Sequence, residues 1–221
     1  GNNMKKSNNK RGFFITIEGG DGVGKTTHCD LLSESLRKAD FEVVNVREPG
    51  GTLIGEQIRE IVKNNYTPSA ITELLLFEAA RSELIHKVIT PAIYNKKIII
   101  ADRFMDSTVA YQGYGRGIPL DNINILNKIS TNNITPDLSI LLNSPVSISL
   151  ERSIIRDSIK DNNGTRFENE PIKFHNKVNK GFLKIAESNL DRWKIINSNR
   201  EISIVAEDIF NSVISVLDIK N

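Results

Sequence analysis

The stretch Gly19-Gly20-Asp21-Gly22-Val23-Gly24-Lys25-Thr26 limits what this chain can become more than any other. Two glycines with four residues between them, followed by Lys and Thr, have the spacing of a phosphate-binding loop. Before it runs Phe13-Phe14-Ile15-Thr16-Ile17, short, apolar and β-branched, which predicts a buried strand. After it, from Thr27 to Ala39, Cys29, Leu32 and Leu36 recur at helical spacing. The pattern therefore sits between a strand and a helix, where its mechanism needs it. A Gly-rich turn that matches by chance is the competing reading, and it does not require that context.

A triphosphate is held by donors that approach closely, and side chains obstruct that approach. The glycines remove the obstruction, so backbone N–H groups can curl into an anion nest, helped by the positive end of the following helix. Lys25 is placed to reach the outer phosphates, and the Thr26 hydroxyl to ligate the magnesium that accompanies a nucleotide.

The 221 residues suffice for one domain with a sizeable core, and no shift in composition suggests a second. A net charge of +2 gives no broad surface for nucleic acid. Cys29 is the single cysteine, so no internal disulfide can form, which fits a reducing compartment. No apolar run is long enough for a bilayer and no signal-peptide core is present, so the expected location is the cytoplasm, away from membranes. Residues 1–11 are polar and basic and are expected to be a disordered arm, with Met4 as the natural start and Gly1-Asn2-Asn3 as an added remnant. The domain is expected over 12–221.

Further strands are predicted at 41–46, 98–101, 138–142 and 193–196, with helices between them. A helix from Pro68 is expected to break near Pro91. Asp106 to Tyr111 should be briefly helical, followed by a turn punctuated by Gly113, Gly115 and Gly117. Pro145 starts a helix reaching about Arg156. Residues 157–171 lack apolar periodicity and contain Asp161-Asn162-Asn163-Gly164, which suggests a mobile lid. Five short apolar strands alternating with helices imply an α/β domain with a parallel sheet covered on both faces. With the phosphate loop, that is a P-loop NTPase fold.

In such sheets the ligand lies beyond the carboxyl ends of the strands. Three segments meet that edge: the phosphate loop, Arg47-Glu48-Pro49 and Asp102-Arg103. Asp102 faces the magnesium, directly or through water, or else caps a helix. Arg103 and Arg47 are placed to grip phosphoryl oxygens. Guanine-specific switches carry Asn-Lys-x-Asp, whereas Asn127-Lys128-Ile129-Ser130 lacks the aspartate. Arginines around the site favour a second anionic substrate instead. His28, His86 and His175 have no metal-ligand spacing. The tight loop makes Glu48-Pro49 a candidate cis peptide.

The loop GGDGVGKTT ending at Thr27, REPGGT at 47–52, FEAAR at 77–81, DRFMDSTVAYQG at 102–113 and a lid carrying Arg166 together resemble the thymidylate kinases, bacterial members above all. The resemblance implies transfer of the γ-phosphoryl group of ATP to dTMP, giving dTDP and ADP. It implies that Phe77 stacks on thymine, where Phe77 alone would read as a core residue, and that Arg81 bonds a base carbonyl. Thr108 and Gln112 fall where the family contacts the base, and Tyr111 where a ring disfavours a ribose 2′-hydroxyl. Asp21 matches the carboxylate that holds the sugar 3′-hydroxyl, and Arg47 and Arg103 the clamp on the monophosphate.

Some members carry an arginine in the loop where Gly22 stands here, so this chain resembles the class that supplies that cation from its lid. Arg166 is the first candidate and Arg156 the second, while Arg152 resembles an arginine that stacks on adenine. Homodimers are usual in the family, and the apolar helix face near Phe77 to Ile89 is a candidate contact.

Overall fold

The computed structural model describes residues 11–64, 66–159 and 166–219. Residues 1–10 of the expected arm and 160–165 of the expected lid lie outside the described residues. Arg11, assigned to the arm from sequence, is fixed by an ion pair to Asp137 at 2.5 Å.

In chain order the elements are β1 (Phe13–Glu18), α1 (Lys25–Lys38), β2 (Val43–Arg47), α2 (Leu53–Lys63), α3 (Ala70–Leu84) and α4 (Thr90–Tyr94). They continue with β3 (Ile98–Asp102), α5 (Met105–Thr108), α6 (Leu120–Thr131), β4 (Leu138–Asn143), α7 (Val146–Ile159), α8 (Ile172–Glu187), β5 (Trp193–Asn197) and α9 (Ile202–Ile219). The strands form one parallel sheet in the order β2-β3-β1-β4-β5. β1 is central and buried throughout, which is why it reads as an unbroken apolar run rather than an alternating one.

Alternation along β1 divides the core. Phe13, Ile15 and Ile17 face α1 and α9, packing against Leu32, Leu36, Val205, Ile209 and Val213. Phe14 faces the opposite layer with Leu84, Ile85, Ile89 and Phe104. Phe14 and Phe104 meet edge to face at 4.9 Å between ring centres. Full burial of each such side chain contributes about 1.5–3 kcal/mol.

Three expectations change. The helix after Ser69 does not break at Pro91; it passes through a π-helical turn, Ile85–Ile89, into α4, whose first turn accepts the proline. The Phe77 to Ile89 face is not an open surface, because Leu84, Ile85 and Ile89 are buried against β2 and β3. Gly113 and Gly115 do not form a turn but lie in a π-helical stretch, Val109–Gly115, running on from α5. A Cβ on Gly115 would come within 2.6 Å of the Phe174 ring on α8, and one on Gly113 within 2.6 Å of Leu120. Those glycines permit close packing, and the left-handed residue is Gly117. The Glu48-Pro49 peptide is cis.

Candidate active site

At the carboxyl edge of the sheet a cavity of about 1170 Å³ is bordered by the phosphate loop, the 47–51 loop, α2, α3, the end of β3, α7 and the last part of the expected lid. Its chemistry begins at the loop. Lys25 is the first residue of α1, and Gly24, at φ 98°, turns the chain into the helix. The Lys25 ammonium donates to the Gly20 carbonyl at 2.6 Å, which folds the side chain back across the loop. Burial, together with the nearby Arg103 charge, lowers it from the usual 10.5 to about 8. Asp21, Gly22, Gly24, Thr26 and Thr27 border the cavity with it. Gly19 and Gly20 contribute carbonyls to Arg103 and Lys25, and the Val23 side chain is buried in the core, so Val23 offers a ligand only its backbone.

β1 and β3 are neighbours in register, Ile17 beside Asp102, and this delivers Asp102 to the loop. The Thr26 hydroxyl donates to Asp102 Oδ2 at 2.6 Å. Two hard oxygen donors side by side fit magnesium, which takes one or two protein oxygens and leaves its other positions to phosphates and water. Among the described residues no group of three or more His, Cys, Asp and Glu could hold a metal by itself.

Arg103 follows at φ 72°, a left-handed conformation uncommon for a residue with a side chain, held by its N–H to the Ile17 carbonyl. Strain of that kind costs about 1–3 kcal/mol and concentrates at functional sites. Here it aims the guanidinium at Gly19 O (2.8 Å), Ser107 Oγ (3.1 Å), Asp21 Oδ1 (2.9 Å) and the Tyr111 hydroxyl (3.0 Å). Tyr111 in turn donates to Asp21 Oδ2 at 2.8 Å. Burial alone would raise the Asp21 carboxyl, but Arg103, Lys25 and the Tyr111 bond outweigh it and the net shift is downward. His175 on α8, buried, brings Nδ1 to 4.0 Å from the same carboxylate.

Gly22 explains the departure in the loop. At φ 77° it lies against the backbone of α7, where a Cβ would stand 1.8 Å from the Ser149 carbonyl oxygen. No side chain fits there, least of all an arginine. α7 carries Arg152 and Arg156, both bordering the cavity; Arg152 donates to Asn199 and Arg156 to Ser153 and Glu168. Arg166 is placed elsewhere. Its guanidinium donates to buried Glu73 at 2.6 Å and lies over the Phe167 ring, and it does not border the cavity.

Half-buried Phe77 borders the cavity with Phe167 and Tyr111, ring centres 6.0 Å apart for Phe77–Phe167 and 5.7 Å for Tyr111–Phe167. The rings touch one another at a tilt of 51° and edge to face at 86°, which makes them an aromatic wall of the cavity. Arg81 is 1% exposed. Its Nε and Nη2 engage Glu48, Nη1 engages Glu78 and Asn127, and the remaining Nη2 hydrogen goes to Thr108 Oγ1 at 2.7 Å. All five donors of a guanidinium are thereby used. Arg81 borders the cavity as well, and these bonds hold Glu48, Asn127 and Thr108 around it. Thr108 and Gln112 border the cavity themselves. Arg47 borders it too, paired with Glu56 at 2.9 Å.

Several lining residues escaped the sequence reading. Arg59 donates to the Pro49 carbonyl at 2.8 Å, and Lys63 follows it one turn later. Burial and the Arg59 charge lower the Lys63 ammonium to about 8. Ile58 and Val62 of α2 are buried, while Arg59 and Lys63 beside them border the cavity, and facing a cavity leaves no mark in the helical spacing of the sequence. Phe167 and Glu168 lie in the segment read only as polar and aperiodic.

Comparison with known proteins agrees with this constellation. The family model described as thymidylate kinase matches residues 17–209. A thymidylate kinase of Geotalea daltonii is 43% identical over 213 residues, 94% of this chain and 99% of its own. That of Geobacter sulfurreducens is 42% identical over 198 residues, 88% and 93% of the two chains. The crystal structure of thymidylate kinase from Ehrlichia chaffeensis superposes with a TM-score of 0.73 at 34% identity, covering 91% of this chain and 98% of that one. A family model matching most of the chain, with fold and sequence shared over nearly their whole length, places the chain in the thymidylate kinase family.

Proposed function

We propose that the protein transfers the γ-phosphoryl group of ATP to dTMP, yielding ADP and dTDP. The observation that carries this reading is one cavity bordered both by Lys25 and Thr26 of the phosphate loop and by Phe77, Tyr111 and Gln112. Donor and acceptor would lie end to end in it, and no covalent enzyme intermediate is needed.

Both reactants are anions, so the chemistry is positioning and charge neutralisation. The loop N–H groups and Lys25 would hold the β- and γ-phosphates, with Arg152 along α7 toward the adenine. Thr26 and Asp102 would hold magnesium, which when bound supplies charge neutralisation at the phosphate oxygens. Arg103, Arg47 and Arg59 would grip the acceptor phosphate, while Asp21 accepts the sugar 3′-hydroxyl and the Tyr111 ring crowds a ribose. Arg156, which borders the cavity, is better placed than Arg166 to supply the lid cation; Arg166 would first have to leave Glu73. Lid closure would exclude water that could otherwise hydrolyse ATP.

We infer a homodimer from family membership. The exposed apolar residues Ile71 and Leu75 on α3 and Ile125 and Ile129 on α6 offer a surface for it. A cytoplasmic location is inferred from the substrates; among the described residues no helix is long and apolar enough to cross a membrane. Labelled γ-phosphate tests the reaction: label from ATP should appear in dTDP when dTMP is supplied, whereas label released only as inorganic phosphate would point to a nucleotide-hydrolysing switch.

A further inference from the structure

Glu73 on α3 is 1% exposed and receives donors from two other elements. Gln112 Nε2 donates to its Oε1 at 2.7 Å, Arg116 Nε to Oε1 at 3.2 Å, Arg116 Nη2 to Oε2 at 3.3 Å and Arg166 Nη2 to Oε2 at 2.6 Å. Two guanidinium groups pin a carboxylate that can only accept. Gln112 is an amide, and an amide can present either its NH2 or its oxygen to a neighbour. Against this carboxylate only the NH2 is tolerable, because the reverse orientation would oppose two acceptors in a buried place. The amide oxygen is left facing away from Glu73, and among the described residues nothing donates to it. Gln112 borders the cavity beside Phe77 and Thr108.

We propose that Glu73 is a positioning residue for acceptor specificity: by fixing Gln112 with its carbonyl oxygen toward the aromatic wall, it selects a pyrimidine whose N3 carries a hydrogen. This rests on the proposed placement of the base against that wall. A 4-oxopyrimidine donates N3–H to the Gln112 oxygen. A 4-aminopyrimidine presents a bare N3 lone pair to the same oxygen, acceptor against acceptor. Thr108 cannot make this distinction. Its Oγ1 already accepts from Arg81, but its hydroxyl can rotate to suit either base. Gln112 instead presents an oxygen whose orientation Glu73 fixes from behind, beside Arg81, a fixed donor that also borders the cavity.

The test compares kcat/KM for dTMP and dCMP, with ATP saturating, in the wild type, Glu73→Gln and Gln112→Leu. Glu73→Gln offers a donor as well as an acceptor, which frees the Gln112 amide to turn over. The dTMP:dCMP ratio should fall ~10-fold or more, since a site built to bond a substrate N–H discriminates strongly only while its polarity is fixed. The loss should appear mainly as a higher KM for dTMP, with KM for ATP little changed. Gln112→Leu, which leaves both ion pairs of Glu73 intact, should lower the same ratio and decides the matter if Glu73→Gln does not fold. A purely structural Glu73 would lower turnover of both acceptors in parallel; an unchanged ratio in either folded variant overturns the proposal. Failure of the wild type to phosphorylate dTMP at all would instead remove the kinase reading, before any variant is made.

Discussion

Thr26 on α1 and Asp102 at the end of β3 meet at 2.6 Å, hydroxyl to carboxylate, although 76 residues separate them. The parallel register of β1 and β3 makes the encounter, and it sets two oxygen donors at the mouth of the phosphate loop. Asp102→Asn keeps the shape and removes the charge. The magnesium concentration for half-maximal rate should rise about 10- to 100-fold, read from initial rates at fixed ATP. An unchanged magnesium requirement would leave Asp102 only as the hydrogen-bond partner of Thr26.

Gly22 and Gly20 are both loop glycines, yet they should respond oppositely to alanine. A Cβ at Gly22 would meet the Ser149 carbonyl at 1.8 Å in a left-handed backbone, whereas one at Gly20 meets nothing within 4 Å. Gly22→Ala should therefore cost about 1–3 kcal/mol or more and displace α7. Gly20→Ala should leave the melting temperature within a few degrees of wild type. Thermal melts of the two variants check the contrast.

Arg81 should behave as a structural keystone. Glu48 and Glu78 are buried beside it, so Arg81→Met strands two carboxylates and should cost about 3–5 kcal/mol. Arg81→Lys should recover little, because one ammonium cannot reach Glu48, Glu78, Asn127 and Thr108 together. Denaturant midpoints would show this. A variant as stable as wild type that had lost only dTMP affinity would return Arg81 to the role of a base ligand.

The fold was largely legible because parallel strands buried on both faces read as apolar runs, and because the phosphate loop brackets a strand and a helix. The site was legible only where a motif names its residues. Arg81 is legible from its motif, but nothing local shows that Glu48, 33 residues earlier, shares its donors with Glu78, Asn127 and Thr108. Gly113 and Gly115 looked like a turn because sequence does not distinguish a glycine needed for its backbone from one needed to admit a neighbouring ring. Arg59 and Phe167 were missed for a similar reason: facing a cavity leaves no periodic signature.

Protonation should limit the enzyme on the alkaline side. With Lys25 and Lys63 both lowered to about 8, kcat/KM should be flat below that pH and fall above it. Stability should move the other way: between about 8 and 10.5 the unfolded chain binds the Lys25 proton and the folded chain does not, so this contribution rises with pH. Glu18, raised by burial and by Asp106 to about 8, stabilises fully below 4.5 and loses that contribution as pH climbs to 8. Urea midpoints across pH for Lys25→Met and Glu18→Gln separate the two.

The lid arginines divide on placement. Arg156→Ala should lower kcat more than Arg166→Ala, with dTMP affinity little affected, since the charge acts chiefly in the transition state. Steady-state rates of both variants decide it, and the reverse order would assign the lid cation to Arg166.

An adenosine and a thymidine joined 5′ to 5′ through a chain of five phosphates would span the whole cavity, from the phosphate loop to the aromatic wall. Its inhibition pattern tests the end-to-end arrangement most directly: it should compete with ATP and with dTMP alike. Competition with ATP alone would contradict the arrangement and leave Phe77 and Gln112 without a nucleotide to bind.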